Sequence, residues 1–267
     1  MDDVSSVIFE SAQRLLSDLS TRDDAGDVSG ERLAAGWRQI DQMGLLLALV
    51  SEEQGGLGLG AREAFELVQI CGRYVTPHPI VETMLANRLA VEAGEGLVDR
   101  PVASLGELAK EQRELAALAR AMQMAGALEE ILSMTITHVE EHSQFGRPLA
   151  KFQVIQHALA VMASEVAAAT AAADHAAGKL EEGGDAATLA IGIARARIGE
   201  ACSKVAAAAH QLHGAIGYAR EHRLHLDTTA VWKWRDEFGT QAWWTRLVGQ
   251  MALAKGREDF WPMVTAA

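Results

Sequence analysis

The sequence predicts an all-α protein, with an N-terminal helical domain followed by a C-terminal four-helix bundle. Three observations carry that prediction. Apolar side chains recur at three- and four-residue steps along most of the chain, which is the helical period. Alanine, leucine, glutamate and arginine dominate the second half, and all four favour helix. Only 5 prolines interrupt 267 residues, so few positions forbid a helix. With 49% hydrophobic residues, a chain of this length can bury one large core or two modest ones.

The elements follow in order. Residues 1–94 form the N-terminal domain, a set of short helices joined by glycine- or proline-marked turns. Val7, Ile8, Ala12, Leu15 and Leu16 keep helical spacing, and Leu33, Trp37, Ile40 and Met43 do so again before Gly44. The stretch from Ser51 to Gly60 is a glycine-rich loop between helices. A phosphate cradle needs such glycines after a strand, and none precedes them, so turns with positive φ are the better account. A helix over 62–74 stops at Thr76-Pro77-His78-Pro79, and another covers 80–92. Residues 95–106, with Gly96, Asp99, Pro101 and Ser104, are an irregular linker. Residues 107–267 supply four long helices: 108–141, 152–182, one from Asp185 as N-cap to 212, and 229–255 interrupted near Gly239.

Several classes drop out. The net charge is −12 and no basic stripe follows a helix, which disfavours nucleic acid and anionic membrane as partners. Cys71 and Cys202 lie far apart inside apolar helical patterns and read as buried thiols; no Cys-x-x-Cys pair supports a zinc or iron–sulfur site. The start, Met1-Asp2-Asp3-Val4, is acidic, with no apolar run of signal-peptide length, and no membrane span is expected, so the expected location is cytoplasmic. A di-iron bundle needs Glu-x-x-His pairs, and no histidine has a carboxylate three residues before it. Trp232, Trp234, Trp243 and Trp244 read as core or interface anchors.

Two segments say more than a bundle requires. One is Ser143-Gln144-Phe145-Gly146-Arg147-Pro148-Leu149, leading into Phe152-Gln153-Val154-Ile155-Gln156-His157. The other is Gln211-Leu212-His213-Gly214-Ala215-Ile216-Gly217-Tyr218, followed by Glu221-His222-Arg223-Leu224. Both resemble signature stretches of the C-terminal helical domain of acyl-CoA dehydrogenases. The order Trp37 to Gly44, Glu52 to Gly60, Gly72-Arg73 and Pro77 is similar to that family's N-terminal domain. The resemblance implies α,β-dehydrogenation of an acyl-CoA thioester with FAD as hydride acceptor, electron-transfer flavoprotein as acceptor, and assembly of subunits through the bundles. It implies that Gln211, Gly214 and Gly217 approach the flavin pyrophosphate, since glycine has no Cβ to hold a phosphate away. It also implies that Gln144, Phe145, Gly146, Arg147 and Gln153 serve the other half of the site, contributed to a neighbouring subunit's flavin. The plain alternative is that Gln-Phe-Gly-Arg-Pro merely ends one helix and starts the next.

The sequence departs from the family in three places. The family's β-domain of about 100 residues is missing, because residues 95–106 are too short and show no alternating apolar pattern. The catalytic glutamate that precedes a Gly-Thr pair is replaced by Phe238, before Gly239-Thr240, which leaves Glu237 as the candidate base one residue out of register, turned by about 100°. The family's alternative base position falls near Ala116, with Glu114 again out of register. Finally, His142 stands where the family has arginine, so its charge depends on pH; Arg147 either compensates or pairs with a neighbouring acid. These departures suit a subunit, homo- or hetero-oligomeric, whose site a partner completes. The alternatives are a catalytically inactive structural subunit and a helical interaction module without flavin.

Overall fold

The computed structural model describes residues 3–23 and 30–266, so Met1 and Asp2 lie outside the described residues. Helix α1 (Asp3–Asp23) buries Phe9, Ala12, Leu16 and Leu19; Ala12 and Leu16 were expected from the helical spacing, and Ile8 and Leu15 are partly buried beside them. Val7 was expected on that face and is instead exposed to solvent. Helix α2 (Gly30–Gln42) contributes Ile40, and after it Leu45 and Leu46 sit in a 3₁₀ turn. The glycine-rich loop is a set of turns, as expected, with no strand before it among the described residues: Gly55 and Gly58 take φ of 88° and 67°.

Helix α3 (Ala61–Arg73) crosses α5 (Lys110–Glu141) at two glycines. A Cβ on Gly72 would overlap the carbonyl oxygen of Gln123, and one on Gly126 would overlap that of Gln69. The two helices are therefore in backbone contact, and the buried side chains of both halves form one continuous cluster from Phe9 to Trp244. Helix α4 (Ile80–Glu92) holds the linker. The Asn87 amide accepts the Val98 N–H at 2.8 Å and donates to the Leu46 carbonyl, and the Thr83 hydroxyl accepts the Val102 N–H at 3.0 Å. Polar side chains of α4 thus satisfy linker backbone that no strand partner serves.

In the second half α5, α6 (Gln153–Lys179) and α7 (Gly184–His213) pack against one another. Alanines at the contacts, such as Ala169, Ala173, Ala194 and Ala201, let the axes approach closely. Helix α7 begins one residue before Asp185, with Gly183 at the N-cap; Asp185 lies in the first turn, where its charge favours the helix dipole. The fourth position, expected as one interrupted helix over 229–255, is filled by two. Helix α8 (Leu224–Asp236) lies against α5 and α7, and α9 (Gln241–Ala266), kinked at Gly256, lies against α7. The break comes from Phe238 and Gly239 at φ of 55° and 108°, a conformation that ends a right-handed helix. Trp234 and Trp244 are core residues, whereas Trp232 and Trp243 are partly exposed. Cys71 and Cys202 are buried free thiols, pushed up to about 12 by burial.

Residues 153–182 form a helix that is long and apolar enough to cross a membrane by length and composition. Alanines supply much of its hydropathy: Ala169, Ala173, Ala176 and Ala177 are buried against the neighbouring helices, but little of the most apolar stretch is buried in the chain.

Candidate nucleotide site

Between α5 and α6 the chain makes a two-residue hairpin that sequence periodicity did not predict. Strand β1 (Ser143–Gln144) pairs antiparallel with β2 (Arg147–Pro148), Gln144 opposite Arg147. The turn residues Phe145 and Gly146 both have positive φ, 54° and 78°, the pattern of the mirror-image turns that suit twisted hairpins. Glycine takes that conformation freely; for phenylalanine it costs about 1 kcal/mol. The hairpin nonetheless projects the Phe145 ring into solvent at 91% exposure. A strained, exposed aromatic ring contributes nothing to this chain's own core. The Arg147 guanidinium lies 4.1 Å over the Phe152 ring, so it neither enters the pocket nor pairs with an acid there.

The hairpin base, the start of α6 and the C-terminal ends of α5 and α7 enclose a pocket of about 430 Å³. Gln144, Gln211 and Gly214 line it, with His138, His142 and His213. At the end of α7, Gly214 has φ of 65°, and nothing lies within 4 Å of where its Cβ would be. Gly217 serves packing: a Cβ there would press on His213 and Leu224. Gln153, at the start of α6, does not line the pocket, and Phe145 and Gly146 stand at the hairpin tip outside it.

Of these histidines the sequence singled out His142 alone, as the replacement for an arginine; the grouping of the others was not expected. Their spacing, 138 with 142 and 210 with 213, puts each pair on one helix face, but only the fold sets the two faces together. His138 stacks on His213 with centroids 4.3 Å apart and on His142 at 5.3 Å, and His222 meets His213 edge-on at 4.8 Å. The His213 Nδ1–H donates to the Ala209 carbonyl at 2.8 Å, leaving Nε2 buried with no partner. Burial, then neighbouring imidazoles, holds His213 down to about 4, and the same causes lower His138 and His210.

A second centre surrounds the candidate base. Arg120 of α5 is 1% exposed and donates to Glu237 Oε2 through Nε at 2.7 Å and to Glu82 Oε1 through Nη2 at 2.7 Å; Nη1 donates to the Gln123 amide oxygen. Glu237 is therefore ion-paired, with Lys233 a further 3.9 Å away. A pocket of about 310 Å³, lined by Cys71, Pro77, Ala103, Gln123 and Lys233 among others, lies between the N-terminal helices and α8 and shares Glu82 as a wall. Arg195 of α7 donates to the carbonyls of Arg235, Glu237 and Gly239 at 2.7–2.9 Å, which fixes the turn between α8 and α9. Burial lowers its guanidinium to about 10. Both arginines stand in alanine-rich stretches, a sequence signal for buried cations that periodicity alone does not weigh.

Residues 106–231 match the family described as acyl-CoA dehydrogenase, C-terminal domain. The acyl-CoA dehydrogenase IpdE2 of Mycobacterium tuberculosis is 28% identical over 253 residues, covering 71% of this chain and 78% of that protein. The glutaryl-CoA dehydrogenase of Desulfococcus multivorans is 38% identical over 97 residues, covering 36% of this chain and 25% of that one. In fold, a chain of the ChsE4-ChsE5 complex from Mycobacterium tuberculosis superposes with a TM-score of 0.81 at 17% identity, covering 96% of this chain and 99% of that one.

Proposed function

We propose that this chain, whose residues 106–231 match the C-terminal domain of acyl-CoA dehydrogenases, is a flavoprotein subunit that works with a second subunit of that family in α,β-dehydrogenation of an acyl-CoA thioester. The observation that carries the proposal is the meeting of Gln144, Gln211 and Gly214, from two distant motifs, around one pocket. The residues fit one half of a nucleotide-pyrophosphate site. The open face of Gly214 admits a phosphate oxygen, the two amides offer donors, and His213 Nε2 is a buried polar atom lacking a partner. When bound, FAD supplies a hydride acceptor at N5 for the substrate β-carbon.

The chain's own residues bind and position. Phe145, held outward by the hairpin and meeting Phe152 only in an edge-on contact at 6.3 Å, remains 91% exposed and offers a stacking surface to a further ring, which supports a flavin shared with a neighbouring subunit. The exposed apolar face of α6, with Val154 and Val161, supports a bundle-to-bundle contact beside that hairpin. Residues 95–106 stand where the family carries its β-domain, so the partner supplies the wall of the flavin that this chain lacks. The partner also supplies the base, because Arg120 holds Glu237 in an ion pair. Glu237 then positions the turn rather than taking the substrate's α-proton. Electron-transfer flavoprotein is the expected acceptor. Assembly with an unlike subunit is supported by the superposed chain, which belongs to a complex of two proteins, ChsE4 and ChsE5.

The test is the visible absorption spectrum of the chain purified alone and after co-expression with a full-length dehydrogenase subunit. A flavin band that forms only with the partner, and is lost in Gly214→Leu, is the expected result. A colourless complex would leave a helical interaction module as the function. A stoichiometric band in the chain alone would show a self-sufficient site.

A further inference from the structure

Resting on the reading of the hairpin–α7 pocket as a pyrophosphate site, we propose that this pocket binds its diphosphate ligand with uptake of a proton by the stacked imidazoles of His138 and His213, which take the place of a permanent cation. The position of the pocket sets its electrostatics. It opens at the C-terminal ends of α5 and α7, where unpaired carbonyls give a negative potential equivalent to roughly half a charge for each helix. A diphosphate placed there meets repulsion that the one N-terminal end present, that of α6, offsets only in part. Among the described residues that line it, neither lysine nor arginine is present; the neutral amides of Gln144 and Gln211 and three histidines are.

The imidazoles are poised to provide the charge. His213 is the last residue of α7 and His138 lies in the last turn of α5, positions at which the helix dipole rewards an imidazolium. Against that, His213 is only 5% exposed, and each ring faces other rings that would be like-charged. The balance therefore favours neutral rings until an anion arrives. His213 has the right tautomer for the task, since Nδ1–H is committed to the Ala209 carbonyl and Nε2 carries a lone pair with no partner. A proton added there turns an orphaned acceptor into a charged donor.

The other groups around the pair do not supply the missing charge. On α5, His142 and Glu141 act on His138, one with it and one against it. On α7, His210 faces His213 one turn back, its Nε2 bonded to Thr228. From the loop before α8, His222 accepts the Leu224 N–H at Nδ1, and Arg223 is held by Asp227 and the Val75 carbonyl. His225 of α8 donates to the His222 carbonyl, and α6 lines the pocket with Val154, Ile155 and Ala158.

The sign follows from the depressed imidazoles. An unfolded histidine takes its proton near 6.5 and folded His213 only near 4, so the ligand-free protein loses stability as pH falls from 6.5 towards 4. A bound diphosphate raises the folded value and reverses that trend. Calorimetric titration of the assembled flavin-free subunit with FAD and, separately, with inorganic pyrophosphate tests this, at about pH 6 and about pH 8 in buffers of different ionisation enthalpy. The expected result is affinity at least about tenfold tighter at the lower pH, with about one proton taken up per ligand. His142→Arg, at an exposed position, should bring affinity at the higher pH up to that at the lower. Tight binding with no proton uptake would overturn the inference and leave the site reading intact. Absence of binding of either probe at both pH values would overturn both. Proton uptake that survives in His138→Gln/His213→Gln, or in His142→Arg, would place the proton elsewhere and also overturn the inference.

Discussion

Replacing Arg195 with methionine keeps a long side chain in the core while deleting the donors that hold the α8–α9 turn. In the native chain three carbonyl oxygens, of Arg235, Glu237 and Gly239, sit 2.9, 2.7 and 2.9 Å from Arg195 Nη2. A hydrogen bond to a charged donor contributes about 1.5–3 kcal/mol, so the gross loss is about 6 kcal/mol. Two terms reduce it. The buried cation is costly to keep, as its lowering to about 10 shows, and the turn is only half-buried, so water reaches some of the freed carbonyls. A net loss of about 3 kcal/mol remains, at the lower end for removing one partner of a buried charged network. The assay is urea unfolding followed by tryptophan fluorescence, since Trp234 and Trp244 flank the turn, together with a thermal melt in which Tm should fall by about 8 °C. Arg195→Lys should recover only part of the loss, because an ammonium has enough donors but sits on a shorter, flexible stem that does not hold it where Nη2 lies. A loss below about 1 kcal/mol for Arg195→Met would refute the claim that this guanidinium holds the turn that Phe238 and Gly239 open.

Two further predictions use the same core. Gly72→Ala places a Cβ on the Gln123 carbonyl and forces α3 from α5, so it should destabilise by about 3 kcal/mol in urea unfolding; near-native stability would mean that the two helices are not in backbone contact. Glu237→Gln should leave acyl-CoA-dependent bleaching of the flavin intact in the co-expressed complex while lowering stability by about 1 kcal/mol, because Arg120 keeps Glu82 as its counter-ion. Loss of bleaching with flavin still bound would make Glu237 the base.

The helical content and the extent of most helices were legible in the sequence, because local periodicity and turn residues fix them within one chain segment. Residues 108–141 and α5 differ by two positions, and the bundle fold followed from alanine-rich apolar faces. The two motifs were legible as well, since each is a short run of unusual residue types. Which of their residues share a pocket was not. Gly214 and Gly217 are three apart and alike on paper, yet one faces open space and the other is wedged against His213 and Leu224. The hairpin left no trace in the sequence, because two-residue strands have no period to detect. The split of the fourth helix depends on an arginine some 40 residues away that captures the carbonyls of the turn. Local sequence chose the elements through short-range sterics and hydrophobic spacing. Only the tertiary structure decided that the ends of α5 and α7 lie side by side, and with that the stacking of His138 on His213 that the proposed proton uptake rests on.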